Sequence, residues 1–502
     1  MRVFNQGFAT QAFYSGFRFI LLAVIGMISS QEYVTRLPKM RKNVYMNGEL
    51  VERDDPELLP SVRVLSKTFD LTGDPGFKDL ITTTSHLTGE TINRFTNVNR
   101  SADDLLKKQK MIRKACHLTG GCIQRCMGCD AINALHFVTH EVDKAYGTEY
   151  HKRFLKYLEY FQKNDLTAAA AQTDVKGNRS LRPGEQKDPD LYVHVVEKRK
   201  DGIVVRGAKN HITMASAAND IICVPTRAMR EEDADYAVAF AVPADSEGVK
   251  LITHVSNPRP RKVYKAPIAD FGVADSFVIF DDLFVPWERV FMCGESPFAA
   301  LLAHGFALYH RHSYTGCKPA VTDIVTGASA LVAEYQGIAD KPHVRSKLAH
   351  LSSVAELVYA AGIASAVEGQ QHESGSYIPN TVYANVGRRH AGMNIYHESE
   401  ILADLAGGLP ATLPFEEDFV NPETKRFLEK YIMRKEDVSP DNIQLCFRLL
   451  SDMLCSSMGG SSAVAGVHGG GSPIMEEIAI AATYDFDEKK RVAKYLAGIE
   501  DS

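Results

Sequence analysis

Four side chains that could bind a metal or transfer a proton lie within one short segment of the chain. They stand at positions i, i+4, i+7 and i+8 of residues 309–318: His310, Tyr314, Cys317 and Lys318. The alanine-rich run that follows predicts a helix, and residues at this spacing share one helix face. An imidazole, a phenol, a thiol and an amine make a poor packing face. The segment therefore predicts a site with two possible metal ligands, an acid/base group and a cation.

A second thiol pair occurs much earlier in the chain. Cys122 and Cys126 are four residues apart, so a helix would place them on one face. Together with His310 and Cys317 they would form a set of three thiolates and one imidazole. Thiolates favour zinc or iron–sulfur clusters, and histidine can replace one cysteine at iron. The spacing differs from that of structural zinc knuckles, which favours a cluster.

Each pair alone has an ordinary structural interpretation. Cysteine behaves as a small apolar residue that is common in helix cores, and a helical histidine is often a hydrogen-bonded core residue. Cys116 and Cys129 are further thiols that could take the place of a ligand. The combination is more specific, because Gly120 and Gly121 allow the chain to approach closely before the first pair.

Two polar loops are further candidates for ligand binding. Residues 172–179 (QTDVKGNR) combine hydroxyl, carboxylate, amide and basic groups, and residues 207–213 (GAKNHIT) follow a predicted strand. Each is either a solvated turn or the rim of a ligand site. No Gly-x-Gly-x-x-Gly motif follows a strand, so a Rossmann dinucleotide fold lacks its fingerprint.

Composition limits the class of protein. The chain has 502 residues, 24% of them charged, with a net charge of −5, which is ordinary for a globular protein. No broad basic field is present, so nucleic acid is not an expected partner. Nine cysteines without paired spacing do not form a disulfide framework and favour a reducing, cytoplasmic location.

The apolar run at residues 17–27 has three interpretations. It is short for a membrane span, and it resembles the core of a signal peptide without a convincing cleavage motif. The third interpretation is that translation begins at Met27, which makes residues 1–26 an upstream extension. The thiol-rich body of the chain argues against export and favours this third interpretation, with no membrane partner expected.

The pattern of elements predicts an α+β protein in three parts. Residues 27–165 are mainly helical, with the first two cysteines on a helix. Residues 166–295 contain short β-rich runs and a hairpin signal with Asp-Gly at its turn, which predicts an antiparallel sheet or small barrel. Residues 296–502 return to long amphipathic helices, typical of a helical bundle.

A set of motifs resembles one enzyme family. The stretches, in order along the chain, are Cys122-x₃-Cys126, residues 172–177, 207–213 and 280–286, His310-x₆-Cys317, and residues 468–473 (HGGGSP). They resemble the corresponding stretches of the 4-hydroxybutyryl-CoA dehydratase family, over nearly everything from Met27 onward. The resemblance implies an acyl-CoA dehydrogenase-like fold, FAD, a [4Fe-4S] cluster and a homotetramer. It also implies kinship with the flavin-dependent 4-hydroxyphenylacetate 3-monooxygenases, which lack the cluster ligands.

The resemblance also implies roles for individual residues. The cluster ligands would be Cys122, Cys126, His310 and Cys317. The FAD-binding residues would be Gln172, Thr173, Asp174, Lys176, Gly177, Asn178, Arg179, His211, Ile212 and Thr213, with Gly407 and Gly408 approaching the FAD of a neighbouring subunit. The catalytic residues would be His310, Tyr314, Lys318, Gln124 and Asp275.

The implied reaction is the dehydration of 4-hydroxybutyryl-CoA to crotonyl-CoA, with isomerisation of vinylacetyl-CoA. The β-hydrogen of the substrate is not acidic, so a flavin-assisted radical route would make it removable. Iron would act as a Lewis acid on the hydroxyl group, with His310 as a base and Tyr314 as a proton donor or relay.

Two positions depart from the family pattern. Ala465 stands where the family has a glutamate, and Asp275 stands where the family has another. Alanine cannot transfer a proton, and the shorter aspartate changes the reach of its carboxylate. The alternatives are therefore a paralogue acting on a different acyl-CoA, a flavin-dependent aromatic monooxygenase, or a protein whose cluster is structural or redox-sensing.

Overall fold

The computed structural model describes residues 27–499, so residues 1–26, with most of the apolar run, lie outside the described part. Helices and a few short strands make up the first part. The helices are α1 (Ser30–Arg36), α2 (Leu59–Asp70), α3 (Lys78–Ile81), α4 (Ala102–Thr119), α5 (Cys126–Tyr146) and α6 (Tyr150–Lys163). The strands are β1 (Val44–Met46), β2 (Glu49–Val51), β3 (Thr82–Thr84) and β4 (Thr91–Asn93).

Two sheets make up the middle part. Their remaining strands are β5 (Ala168–Ala171), β6 (His194–Lys198), β7 (Gly202–Thr213), β8 (Asp220–Cys223), β9 (Val238–Pro243), β10 (Val249–Ser256), β11 (Val273–Pro286) and β12 (Val290–Cys293). One sheet has the order β2-β1-β10-β11-β7-β6 and the other β12-β9-β8-β5. The predicted hairpin is confirmed as β6 and β7.

The sheets differ from the sequence prediction in two respects. Strand β1 pairs with β10, and β5 pairs with β8, and both pairs are parallel rather than antiparallel. Because β1 and β2 come from the first part of the chain, that part is not purely helical. Both parallel pairs join strands that are distant in sequence, which local patterns do not reveal.

Helices return after the sheets and form the last part. They are α7 (Ser296–Tyr335), α8 (Pro342–Val367), α9 (Thr381–Ala406), α10 (Leu409–Thr412), α11 (Pro422–Tyr431), α12 (Pro440–Cys455), α13 (Ser457–His468), α14 (Pro473–Thr483) and α15 (Phe486–Ala497). A two-stranded hairpin, β13 (Gln370–Gln371) and β14 (Tyr377–Ile378), lies between α8 and α9.

Helix α7 is the longest element and passes through a proline. Pro319 has no N–H, so the carbonyl of Thr315 lacks its helical donor. The side chain of Gln109 on α4 supplies one, with Nε2 3.2 Å from Thr315 O, and it also donates to Tyr359 O on α8 at 2.8 Å. This amide therefore joins α4, α7 and α8 and satisfies the carbonyl left free by the proline.

Gly316 allows α4 and α7 to approach closely at this point. A Cβ atom at Gly316 would lie 2.6 Å from the backbone oxygen of Gln109 and 3.1 Å from Cβ of Ile112. That backbone atom cannot move without displacing α4. The thiol of Cys317, one residue further along α7, is buried against the same helix.

Among residues 27–499, one helix has the length and apolar composition of a membrane span. It is α8, and 39% of its most apolar window is buried inside the protein. A core helix of a globular protein meets the same criterion.

We expect Gly316→Ala to destabilise the protein by about 1–3 kcal/mol, because the added methyl group meets a fixed backbone oxygen. Gly327→Ala is the matched control in the same helix. A Cβ at Gly327 has no neighbour within 4 Å among the described residues, outside the local helix backbone. That change should be neutral or stabilising by up to about 1 kcal/mol. Urea denaturation measures both, and equal midpoints would contradict the close approach of α4 and α7.

Candidate active site

The side chains of the predicted stripe on α7 do lie on one helix. His310, Tyr314 and Cys317 sit in the middle of α7, at its contact with α4 and α5. Tyr314 and Cys317 are buried, and the His310 side chain is 15% exposed. The stripe therefore faces the interior, and its imidazole is the group nearest to solvent.

The prediction of a helical Cys-x₃-Cys pair is wrong. Cys126 is the first residue of α5, but Cys122 lies in the irregular turn between α4 and α5. Gly120 ends α4 with φ of 69°, and Gln124 adopts φ of 64°, so the chain reverses within a few residues. The turn presents Cys122 toward Cys126 by a backbone reversal rather than by helical periodicity.

The structure brings the three predicted thiol ligands together. The side chain of Cys122 interacts with those of Cys126 and Cys317 and lies in the field of His310. Hydrogen bonds from the two other thiols hold the pKa of Cys122 well below its usual range. The same hydrogen bonds, followed by burial, raise the pKa of Cys126 and Cys317. Cys122 is the exposed member of the group, and the backbone N–H of Gln124 donates to its sulfur at 3.4 Å.

The two further thiols have different surroundings. Cys116 is buried close enough to Cys122 and Cys317 for the thiols to influence one another's pKa. Cys129 instead lies 3.8 Å from the carbonyl oxygens of Arg94 and Asn97. Cys116 therefore adjoins the ligand group, whereas Cys129 points from α5 toward the backbone of residues 94–97.

Asp130 is a candidate site residue that the sequence analysis did not identify. Its carboxylate is fully buried one turn beyond Cys126 on α5, and Oδ2 lies 2.9 Å from Nδ1 of His310. Oδ1 accepts from Nζ of Lys108 at 2.5 Å and from Oγ of Ser313 at 2.8 Å. Potential ligand atoms of Cys126, Asp130 and His310 all lie within 4.8 Å of one another.

The charge of Asp130 depends on its partners. Burial alone would raise the pKa of this carboxyl, but Lys108 and His310 outweigh burial and lower it. The carboxylate accepts at Nδ1 of His310, which orients the ring and leaves Nε2 available as a ligand or base. Asp130 is thus a positioning residue for the imidazole.

Tyr314 lies under the last turn of α13 and the short glycine-rich segment that follows it, residues 469–471. Its hydroxyl donates to Gly466 O at 2.6 Å, and the guanidinium of Arg388 lies 4.3 Å from the ring centre. Arg388 also donates to Val467 O and Gly469 O, both at 2.6 Å. Burial raises the pKa of the tyrosine, so its hydroxyl remains protonated.

The same segment is held from α7 as well. Arg311 donates through Nε to Gly470 O at 3.0 Å and through a terminal nitrogen to Asn385 Oδ1 at 2.7 Å. Two arginines therefore fix the carbonyls of the glycine-rich segment. Ala465 precedes this segment in the last turn of α13.

Lys318 is buried and forms an ion pair with Glu398 on α9. Burial lowers the pKa of the lysine, and the carboxylate of Glu398 opposes that shift. Thr322 Oγ1 donates to the same carboxylate at 3.2 Å. The amine thus has an internal partner, which the sequence reasoning did not identify.

Residues of the larger sheet face the thiol group from the other side. Asp275 on β11 accepts from Oγ1 of Thr213 on β7 at 2.5 Å and lies in the field of Cys122. Burial raises the pKa of Asp275, with Thr213 opposing the shift. Burial, followed by the charge of Lys176, lowers the pKa of His211. Asp275 therefore interacts with both Thr213 and Cys122, and His211 lies near Asp275 and Lys176.

A buried lysine anchors the polar loop at 172–179. Lys209 Nζ donates to Gln172 O at 2.9 Å, to Asp174 Oδ1 at 2.6 Å and to Val224 O at 2.9 Å. Gly177 has φ of 52°, and a Cβ there would lie 2.6 Å from Gln186 Oε1. The loop therefore has a conformation fixed by hydrogen bonds and close packing. Lys209 attaches it to β7, the strand that carries Thr213.

The remaining loop residues differ in exposure. Asn178 accepts from Ser180 and receives a hydrogen bond at its carbonyl from Gln186, while Arg179 is exposed. Thr173 is partly exposed, and its carbonyl accepts from Asn210 N at 2.8 Å. Ile212 is buried in the sheet. A ligand bound against the surface of this loop would contact its exposed side chains, such as that of Arg179.

Gln124 projects from the turn that carries Cys122. Its Nε2 donates to Gly272 O at 3.1 Å, whereas its buried Oε1 has no hydrogen-bond partner among residues 27–499. An unpartnered buried acceptor is costly, which suits an amide that accepts a hydrogen bond from a ligand.

Gly407 and Gly408 follow the end of α9 and are not part of this neighbourhood in the single chain. A Cβ at either glycine would have no neighbour within 4 Å among the described residues. Their predicted approach to a neighbouring subunit stays a prediction.

Comparison with known proteins gives a consistent assignment. Residues 29–292 match the family model described as 4-hydroxyphenylacetate 3-hydroxylase N terminal, and residues 299–498 match the corresponding C-terminal model. The chain is 40% identical to the 4-hydroxybutyryl-CoA dehydratase/vinylacetyl-CoA-Delta-isomerase of Clostridium aminobutyricum, covering 94% of this chain and 100% of that protein. It is 28% identical to the oxygenase component of 4-hydroxyphenylacetate 3-monooxygenase of Thermus thermophilus, covering 85% and 88%.

Solved structures show the same relationships. An oxygen-tolerant archaeal 4-hydroxybutyryl-CoA dehydratase from N. maritimus superposes with a TM-score of 0.89 at 37% identity, covering 95% of this chain and 96% of that one. The FAD complex of the oxygenase component HpaB of 4-hydroxyphenylacetate 3-monooxygenase superposes with a TM-score of 0.84 at 25% identity, covering 93% and 98%.

We expect Asp130→Asn to destabilise the protein by about 3–5 kcal/mol, because it leaves Lys108 buried without an anion. The pKa of Asp130 is lowered on folding, so its contribution is present at neutral pH and is lost as pH falls through the lowered pKa. Asp281→Asn removes an exposed partner of Lys250 and should leave the urea midpoint nearly unchanged. Equal midpoints for the two variants would contradict the role assigned to Asp130.

Proposed function

Since the chain belongs to the 4-hydroxybutyryl-CoA dehydratase/vinylacetyl-CoA-Delta-isomerase family, we propose that it dehydrates 4-hydroxybutyryl-CoA to crotonyl-CoA and isomerises vinylacetyl-CoA. The observation that carries this proposal is the convergence of three thiols and one imidazole from two distant segments. The proposal includes FAD and a [4Fe-4S] cluster as cofactors.

The donor set suits the cluster. Cys122, Cys126 and Cys317 are soft ligands, and His310 presents Nε2 because Asp130 occupies Nδ1. When bound, the cluster would supply a Lewis-acidic iron for the substrate hydroxyl, and FAD would supply the redox chemistry.

The FAD proposal is supported by the structure of a relative that contains it. Residues 172–179 and 211–213 would hold the cofactor, because the loop is anchored to the strand that carries Thr213. We further propose an acyl-CoA dehydrogenase-like layout, a homotetramer in which Gly407 and Gly408 approach the FAD of a neighbour, and a cytoplasmic location.

The chain's own residues would control proton positions. Tyr314 remains a protonated phenol whose oxygen can still accept a hydrogen bond while its proton is shared with Gly466. Asp275 has a raised pKa, and among residues 27–499 only its Oδ1 accepts a hydrogen bond, so the carboxylate suits a proton acceptor that becomes protonated as pH falls. Gln124 would bind substrate through its unpartnered Oε1. Lys318 would face the substrate as an amine whose protonated form is favoured by the ion pair with Glu398.

The main test is the anaerobic turnover of both CoA thioesters with product analysis. Crotonyl-CoA from 4-hydroxybutyryl-CoA supports the proposal. A flavoprotein that contains no iron or sulfide and hydroxylates phenols would instead support a monooxygenase. If a protein that contains both cofactors converts neither thioester, the remaining functions are turnover of another acyl-CoA or a redox-sensing role for the cluster.

We expect Cys122→Ser to reduce the iron and sulfide content several-fold and to abolish dehydration, because serine is a poor ligand for iron. Cys455→Ser changes an exposed cysteine on α12 outside the ligand group and is the control for loss of a thiol. Metal analysis and electron paramagnetic resonance of anaerobically purified protein measure the outcome. Undiminished iron in the Cys122 variant would exclude this ligand set.

We expect Ala465→Glu to raise dehydratase turnover at least several-fold if the missing carboxylate limits the reaction. Position 465 directly precedes Gly466, whose carbonyl binds the Tyr314 hydroxyl. Val464→Glu places the same charge on the neighbouring exposed position of α13, turned to a different helix face, and should give no gain. Equal rates for both variants and the parent would show that the missing carboxylate does not limit turnover. The assignment of the substrate would then be in doubt.

A further inference from the structure

A second group of donor residues lies at the other end of α5. Histidine rings from α5, α6, the β13–β14 hairpin and the loop before β4 come together there: His86, His136, His140, His151 and His372. Neighbouring ring centres are 5.2–6.0 Å apart. His140 lies fourteen residues beyond Cys126, which is about 21 Å along a helix. This histidine group is therefore separate from the thiol site.

Three residues of this region have the geometry of a metal site. Nδ1 of His140 lies 3.1 Å from Oε1 of Glu141, and Nε2 of His372 lies 3.4 Å from the same oxygen. One ligand atom from each residue lies within 4.8 Å of the others. Ligands about 2.0–2.1 Å from a tetrahedral zinc ion are separated by roughly 3.3 Å. Only a small closure would bring the set to that geometry.

A fourth donor lies beside the three. Oε1 of Glu373 is 3.9 Å from Nδ1 of His140 and forms an ion pair with Nζ of Lys144. The lysine side chain is 60% exposed, so it can turn into solvent and a dication can replace it as the partner of the carboxylate. The set would then contain two imidazoles and two carboxylates, which suits zinc and similar divalent metals.

The interior side of the site is bordered by uncharged histidines. Nδ1 of His372 accepts from the backbone N–H of Ser374 at 3.2 Å and lies 2.9 Å from its Oγ, so Nε2 is the ring nitrogen that faces Glu141. Burial lowers the pKa of His86 to about 4 and that of His136 to about 2, so these neighbours are uncharged at neutral pH. The interior side of the site therefore carries no opposing positive charge from these rings.

We propose that His140, Glu141, His372 and Glu373 form a binding site for a divalent transition metal of the zinc class. The ion would join α5 to the hairpin between α8 and α9. That hairpin also contacts α5 through Ser376 Oγ, 2.7 Å from Nδ1 of His136, and accepts from the Tyr309 hydroxyl of α7 at Tyr377 O, 3.0 Å away. A bound ion would stabilise this junction, because it binds the folded state only.

The test uses the anaerobically purified holoprotein after brief chelator treatment. Co²⁺ is titrated in and followed by its visible absorption, and Zn²⁺ is then used to displace it. We expect one ion per subunit, a spectrum without sulfur-to-cobalt charge transfer, and a rise in melting temperature on binding. The absence of the charge-transfer band separates this site from the thiols.

Variants identify the donors. We expect His372→Asn and Glu141→Gln each to weaken Co²⁺ binding at least tenfold and to remove the thermal shift, while flavin content and circular dichroism confirm folding. His343→Asn, an exposed histidine at the start of α8, is the control and should bind as the parent does. Lys144→Gln should tighten binding a few-fold, because it frees Glu373.

Three results would overturn the proposal. They are no Co²⁺ binding by the parent, binding that survives both donor variants, or a loss in His343→Asn equal to that in His372→Asn. Unchanged affinity in Lys144→Gln would remove Glu373 from the donor set.

Discussion

The buried carboxylate of Asp130 is the interaction on which the site depends. It receives hydrogen bonds from Lys108 on α4 and Ser313 on α7, and it faces His310 on the same turn of α7. A buried anion is costly unless it is paired and hydrogen-bonded, so the three helices can pack only in the arrangement that supplies these partners. The position of the imidazole follows from that packing.

The thiols complete the arrangement from a different source. Gly120 and Gln124 both adopt positive φ, which allows the turn between α4 and α5 to present Cys122 to Cys126 and Cys317. The close contact of α4 with Gly316 then sets how near Cys317 can come. Backbone geometry thus fixes the spacing of the donor set, which reduces the reorganisation needed on binding.

The candidate site has two unlike walls. The helical wall contributes soft ligands and a protonated phenol, and the sheet wall contributes Asp275 and Thr213. The glycine-rich segment after α13 lies against Tyr314, held by Arg388 and Arg311 through backbone carbonyls. A reaction between these walls would have fixed proton donors and acceptors on both sides, which fits the elimination proposed for the family.

The sequence alone determined the helical stripe of His310, Tyr314 and Cys317, the hairpin at β6 and β7, and the family, because these depend on local periodicity and motif spacing. The structure brings together Cys122, Cys126 and Cys317, which the sequence analysis had grouped, and their role as cluster ligands stays a prediction. The tertiary structure decided what local patterns do not encode. Cys122 lies in a turn rather than on a helix, α7 continues through Pro319 because Gln109 satisfies Thr315, and Asp130 is a buried partner of His310. Each of these depends on contacts between residues distant in sequence, whose energies exist only once the helices have packed.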